Sequence, residues 1–155
     1  MSPIKPPPPD WPRMSSIAFY RDAAAAIDWL CRAFGFEVRL RIADDAGRII
    51  HSELEYGEGV VSVAQEGTPD DARRWKQSMK SPQTVGGACT QSIMLFVDDA
   101  DAHCAHARAC GAIIVEEPAT HDYGAEYWID RSYGALDCEA HLWWITQRVQ
   151  TGSAA

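Results

Sequence analysis

Apolar residues recur along this chain with two periods, and the changes from one to the other mark out its elements. From Met14 to Tyr20 apolar and small residues read as a strand, and Asp22 then offers a carboxylate N-cap. In the stretch that follows, Ile27, Leu30, Cys31 and Phe34 stand at i, i+3, i+4 and i+7. This is the stripe of a helix lying on a sheet, with Asp28 and Arg32 towards water and Gly35 as a left-handed C-cap. The period then drops to two. Phe36, Val38, Leu40 and Ile42 fall on one side of a strand, and Glu37, Arg39 and Arg41 on the other. Asp44 to Gly47 is turn chemistry. Residues 48–56 resume as a strand in which His51, Glu53 and Glu55 share a face, and after a turn at 56–59 residues 60–64 form a fourth, short strand.

The same opening returns in degraded form. IAFYRDAAAAIDWLCRAFGFE at 17–37 is echoed by IMLFVDDADAHCAHARACGAIIVE at 93–116, with Phe19, Asp22 and Ala23 matching Phe96, Asp99 and Ala100 at an offset of 77 residues and Gly35 matching Gly111 at 76. Asp99 caps a second helix that runs to Cys110, and residues 112–117 return as a strand. Residues 118–130 read as irregular and aromatic. Strands at 131–136 and 141–147 close the chain around the turn Asp137 to Ala140. A strand, a helix and three strands given twice predict an α+β fold of two βαβββ modules, at 14–65 and 91–148. A polar linker at 66–90, with a helical turn or two within 70–79, joins them. The prolines of residues 1–13 predict an extended arm in which Trp11 is an anchor, and residues 149–155 read as a disordered tail.

Charge and composition narrow the function. A net charge of -8 without any basic run leaves the surface poorly suited to nucleic acid. The chain shows no secretory pattern and no apolar run near the roughly 20 residues needed to cross a bilayer, so no membrane partner and a cytoplasmic location are expected. Five cysteines without CxxC spacing read as reduced thiols, mostly small core residues.

The duplicated module, carried by FYRDAAAAIDWLCRAFGFE, FVDDADAHCAHARACGA and the ending SYGALDCEAHLWWITQ, resembles the vicinal oxygen chelate superfamily of glyoxalases, bleomycin-resistance proteins and extradiol dioxygenases. The resemblance is nearest to the small, stand-alone proteins of the glyoxalase and bleomycin-resistance type. It implies two curved mixed sheets around a cup-shaped cleft, a small-molecule ligand and a homodimer. It also implies metal ligands in catalytic members, near the start of each first strand and on each last strand. Those positions fall here at Ser15 and Ser92, near Val63 and at Trp144; a slip of two residues brings in Gln65. This set is not a credible divalent-metal site, so no metal or other cofactor is expected.

Other constellations have bland readings beside the functional ones. His103, His106 and Cys110 stand at i, i+3 and i+7 on the second helix, but Cys104 and Ala107 look like its sheet-facing stripe, which leaves both histidines on the wet flank. His51 with Glu53 supplies a base and a carboxylate partner if their face is lined by ligand; otherwise they are solvated or at a rim. Trp143 and Trp144 face opposite ways on one strand, and the resemblance puts Trp144 towards the cup and Trp143 towards the helix layer. The candidate ligand contacts are therefore Trp144, Arg131, Trp128 and Tyr133, with Ser15, Ser92 and His51 as polar wall. A serine nucleophile lacks any base nearby in sequence. The leading expectation is metal-independent binding of a small, partly apolar or aromatic molecule. The alternative is a lyase, isomerase or dioxygenase of the same superfamily, with a displaced metal or with none, using His51 and Glu53 or the helix histidines.

Overall fold

A computed structural model describes residues 4–153 and divides the chain into two compact units, Met1–Ser81 and Pro82–Ala155. The first unit runs β1 (Ser16–Tyr20), α1 (Ala23–Phe34), β2 (Glu37–Ala43), β3 (Ile49–Tyr56), β4 (Gly59–Gln65) and a short α2 (Arg74–Gln77). The second runs from a 3-10 turn at Pro82–Val85 through β5 (Ser92–Phe96), α3 (Ala100–Ala109), β6 (Ile113–Asp122) and β7 (Trp128–Leu136) to β8 (Leu142–Thr151). Each unit is a βαβββ module with one four-stranded mixed sheet, of order β1-β4-β3-β2 and β5-β8-β7-β6. In each sheet the first strand pairs parallel with the last, and all other pairs are antiparallel.

The two helices start in the same way. Asp22 Oδ1 accepts from Ala25 N at 3.0 Å, and Asp99 Oδ1 from Ala102 N at 2.9 Å. Each cap contributes about 1 kcal/mol by satisfying an amide the helix cannot. A second tie joins each helix start to its sheet: Gln65 Oε1 accepts from Ala23 N at 3.4 Å, and Gln147 Oε1 from Ala100 N at 3.1 Å. Gly35, at φ 81°, and Gly111, at φ 95°, take the left-handed conformation after each helix. The face of α1 that is buried consists of Ala23, Ala26, Ile27, Trp29, Leu30, Ala33 and Phe34; Cys31, expected in the stripe, is half-buried at its flank. On α3 the buried residues are Ala100, Cys104 and Ala107.

Four segments differ from the sequence reading. In β2 the alternation is broken, because Val38 pairs with Leu54 and Leu40 with Glu53, leaving Arg39 as an extra residue. Ladder partners share a face, so Val38 lies on the α1 side while Leu40 and Ile42 lie on the other. A bulge of this kind is invisible when apolar residues stand on both sides of it. The segment 118–130 is mostly strand: β6 extends to Asp122 and β7 starts at Trp128. Pro118 is accommodated because β6 is an edge strand with a register shift between Glu116 and Ala119, where no ladder amide is needed. β8 continues through Val149 to Thr151, pairing with β7, so these residues are ordered; residues 154 and 155 of the expected tail lie outside the described residues. Within the arm, of which residues 1–3 lie outside the described residues, the chain turns where Trp11 N donates to Pro8 O at 3.2 Å.

The linker begins as part of the first unit. Gly67 N donates to Met79 O at 2.9 Å, the Lys80 ammonium bonds the Gly67 carbonyl, and Ser81 N donates to Glu66 Oε2 at 3.0 Å. Gly67 is where the backbones approach too closely for a side chain: a Cβ there would collide with the Lys76 carbonyl.

Candidate functional site

Because paired residues share a face, each sheet sorts into a side covered by its own helix and an open side. In the second unit Tyr133, Ala135, Trp143 and Ile145 form the helix side and are fully or almost fully buried. Asp137 holds the closing hairpin there. Its Oδ1 accepts from Glu139 N and His141 N, both at 3.0 Å, and its Oδ2 accepts from Trp143 Nε1 at 2.9 Å.

The open side carries Trp144, with Met94 and Gly134 as its ladder neighbours, and further along it Phe96, Thr146 and Ser132. A Cβ at Gly134 would stand 3.2 Å from Trp144 Cζ3 and 3.1 Å from Val115 Cγ2, so the indole lies close over Gly134 and a side chain there would press on it. Met94 is 62% exposed and Phe96 49%, large values for apolar side chains on a sheet. At the far end of the same face Arg148 lies 5.0 Å from the Trp128 ring centroid and 5.4 Å from that of Phe96. Asp130 accepts from its Nε at 2.5 Å. Trp128 and Gly134 are six residue steps apart on β7, roughly 20 Å of strand, so Trp128 and Trp144 mark two ends of one surface.

Two expected contacts are elsewhere. Arg131 is on the helix side, where Nε and Nη2 grip Asp101 of α3 at 2.5 and 2.7 Å; this pairing holds the Asp101 carboxyl below its ordinary range. Tyr133 is wholly buried with its hydroxyl 2.6 Å from His103 Nδ1, and burial pushes the phenol far above its ordinary value. The reason is parity: Arg131 and Tyr133 are odd-numbered steps from Trp144's ladder partner Gly134, so they point the other way. The same bond turns His103 inwards, away from the wet flank expected for it, while His106 Nε2 lies 3.6 Å from Cys110 Sγ, so the three do not converge. Arg148, Phe96 and Met94 were missed by the sequence reading. The period-two rule counted forwards from Trp144 reaches Arg148, the last residue of the module expected at 91–148.

In the first unit Ile17, Phe19, Ser62, Ala64, His51, Glu53, Leu40 and Ile42 share the open side. His51 Nε2 is 2.9 Å from Glu53 Oε1, and Glu53 Oε2 is 3.3 Å from Arg39 Nε. Ser15 lies just before β1 and donates its hydroxyl to Val60 O at 2.8 Å; Ser92 opens β5 and is exposed.

The paired ties of Gln65 and Gln147 put Val63 level with Ile145, both facing a helix, and Ser62 level with Trp144. The last-strand position in the first unit is thus Ser62, and Gln65 is engaged at the helix start. Three serines and an indole offer no imidazole, thiolate or carboxylate, so the residues at the expected metal positions do not fit a divalent ion. Among the described residues no three His, Cys, Asp or Glu side chains come together to hold a metal.

The family model described as Glyoxalase/Bleomycin resistance protein/Dioxygenase superfamily matches residues 14–145. The chain belongs to this superfamily. Among solved structures it is similar to TioX from Micromonospora sp. ML1, at 30% identity and TM-score 0.63, over 88% of this chain and 98% of that one. A superfamily member from Sphaerobacter thermophilus DSM 20745 matches at 16% identity and TM-score 0.63, over 86% and 94% of the two chains. A glyoxalase/bleomycin resistance protein/dioxygenase family enzyme from Burkholderia phytofirmans PsJN matches at 18% and 0.55, over 86% and 95%. The last two share the fold. No curated protein matches the sequence. Membership of the glyoxalase-like superfamily points to a small molecule as the partner, and no helix among the described residues is long and apolar enough to cross a membrane.

Proposed function

We propose that this glyoxalase-like protein binds a small, planar, partly apolar or aromatic molecule without a metal, on the open face of the second sheet, as a cytoplasmic homodimer. The observation that carries the reading is Trp144: an indole laid across Gly134, flanked by Met94, at the strand position where the superfamily resemblance implies a metal ligand. A flat, half-buried indole beside an exposed thioether suits stacking of an aromatic ligand, a contact of about 1 kcal/mol beyond area burial. Ser132, half-buried further along the same face, supplies a hydroxyl to orient a polar edge. Arg148 takes the place that the sequence reading gave to Arg131, with its guanidinium already paired to Asp130.

Titration with 8-anilinonaphthalene-1-sulfonate, followed by dye emission, tests the site. Binding is expected in the micromolar range and at least tenfold weaker in Trp144→Ala; equal affinity of the two proteins would remove Trp144 from the site. Calorimetric titration with zinc, manganese and ferrous iron tests the metal-free part, and one ion bound per chain at micromolar affinity contradicts it. Light scattering at twice the chain mass of 17.1 kDa is the expected result for the dimer.

A further inference from the structure

The first sheet carries a second chemical cluster, independent of Trp144. Glu53 is 7% exposed, yet both of its oxygens are held, one by His51 and the other by Arg39. Arg39 is itself fixed: its Nη1 bonds the Asp10 carbonyl, and its guanidinium lies 4.9 Å from the centroid of the Trp11 ring. The bulge in β2 makes this possible by adding Arg39 between Val38 and Leu40. The contacts thus run from the proline-rich arm through Arg39 and Glu53 to the imidazole of His51.

The imidazole differs from the rest of the row in being 45% exposed. A carboxylate can only accept, so the ring nitrogen facing Glu53 carries the hydrogen and the neutral ring keeps its lone pair on Nδ1. No hydroxyl or thiol among the described residues bonds His51, so the arrangement is a base and its orienter without a protein nucleophile. The ladder partners Ile42 of His51 and Leu40 of Glu53 present apolar surface on the same face. A purely structural staple across the bulge needs Arg39 and Glu53 alone. It gives no reason for an exposed imidazole aligned on the buried carboxylate.

We propose that His51 is a general base for a small carbon acid, a ligand whose acidic C–H stands beside a carbonyl, with Glu53 and Arg39 as positioning residues. In a β,γ-unsaturated carbonyl compound Nδ1 takes the α proton, the C–H electron pair moves into the carbonyl to form a dienolate, and the imidazolium returns the proton at the γ carbon as the double bond moves into conjugation. The sum is an isomerisation that uses no oxidant, reductant or metal. The base is set by geometry: Glu53 fixes the ring, Arg39 fixes Glu53, and the arm holds Arg39.

The probe is 5-nitrobenzisoxazole, in which loss of the C–H proton forms a nitrile, breaks the N–O bond and releases a coloured phenolate. The full chain is expected to exceed free imidazole at equal concentration by about 100-fold, the lower end of general-base effects. His51→Asn should abolish that excess while circular dichroism shows a folded protein, and Glu53→Gln should lower it about tenfold. Nitrogen-15 spectra should show His51 protonated at Nε2, with the Nδ1–H form rising in Glu53→Gln and Arg39→Gln and the loss of rate following that rise, a correlation that a merely structural network would not produce. A rate no greater than that of free imidazole, or one indifferent to His51→Asn, overturns the proposal. So does a wild-type ring protonated at Nδ1. The dye titration reads Trp144 and the benzisoxazole reads His51, so either reading can fail without the other.

Discussion

Asp137 offers the sharpest test of how the second unit is held together. It is 4% exposed and accepts three hydrogen bonds, two from the turn amides of Glu139 and His141 and one from the indole of Trp143, the largest fully buried side chain. Asp137→Ala leaves a buried indole N–H without this partner, at about 1–3 kcal/mol, and removes two turn bonds of about 1 kcal/mol each, for a total of roughly 3–5 kcal/mol. Asp137→Asn is the more informative change. Its amide oxygen can still accept both turn bonds, but its NH2 then meets the indole N–H donor to donor, at a cost of about 2 kcal/mol. With a urea dependence of about 2 kcal/mol per molar, the midpoint should fall by about 1 M for Asn and by about 1.5–2.5 M for Ala. In a Trp143→Phe background the opposing donor is gone, so the Asn substitution should cost at least 1 kcal/mol less than in the native protein. Equal costs in the two backgrounds, or an Asn variant within about 0.5 kcal/mol of wild type, would refute this account of the hairpin.

Two other changes follow from the same hairpin and from the thiols. Ala140, at φ 70°, holds a conformation that costs an L-residue about 1–2 kcal/mol, so Ala140→Gly should raise the melting temperature by about 2 °C after the entropy of glycine in the unfolded chain is set against it; a lower melting point counts against strain at this turn. Burial raises the Cys104 thiol above its ordinary range, and burial together with Asp28 raises that of Cys31, whereas Cys89 and Cys138 are exposed. Mass mapping after brief treatment with a disulfide-exchange reagent should therefore find Cys89 and Cys138 modified first and Cys104 only on unfolding; early labelling of Cys104 would show that α3 opens readily from its sheet.

The elements were legible because each leaves a local signature. Asp22 and Asp99 cap their helices as their position before an apolar stripe predicts, and Gly35 and Gly111 end them. The faces were legible only where a strand keeps strict alternation, as β8 does in sending Trp143 inwards and Trp144 outwards. They were lost at bulges: one extra residue at Arg39 moves Leu40 to the side opposite Val38, and nothing in the residue types announces it. Grouping aromatics and arginines by proximity in sequence failed for Arg131 and Tyr133 because neighbours on a strand are on opposite sides. Pro118 concealed a strand, since the missing amide matters only where a partner waits for it, and an edge strand has none on one side.

Gln65 at the end of β4 and Gln147 within β8 bear on how the two modules diverged. Each ties its strand to the first amide of its helix, so sliding either strand by one residue would break that bond. Register is therefore enforced from the rear of the sheet, and side chains on the front can change without moving the strand. That separation lets Ser62 and Trp144, a small hydroxyl and the largest aromatic, occupy equivalent positions on one duplicated frame. Evolution of a new ligand on such a frame needs substitutions on one face only, while the older symmetry survives on the other.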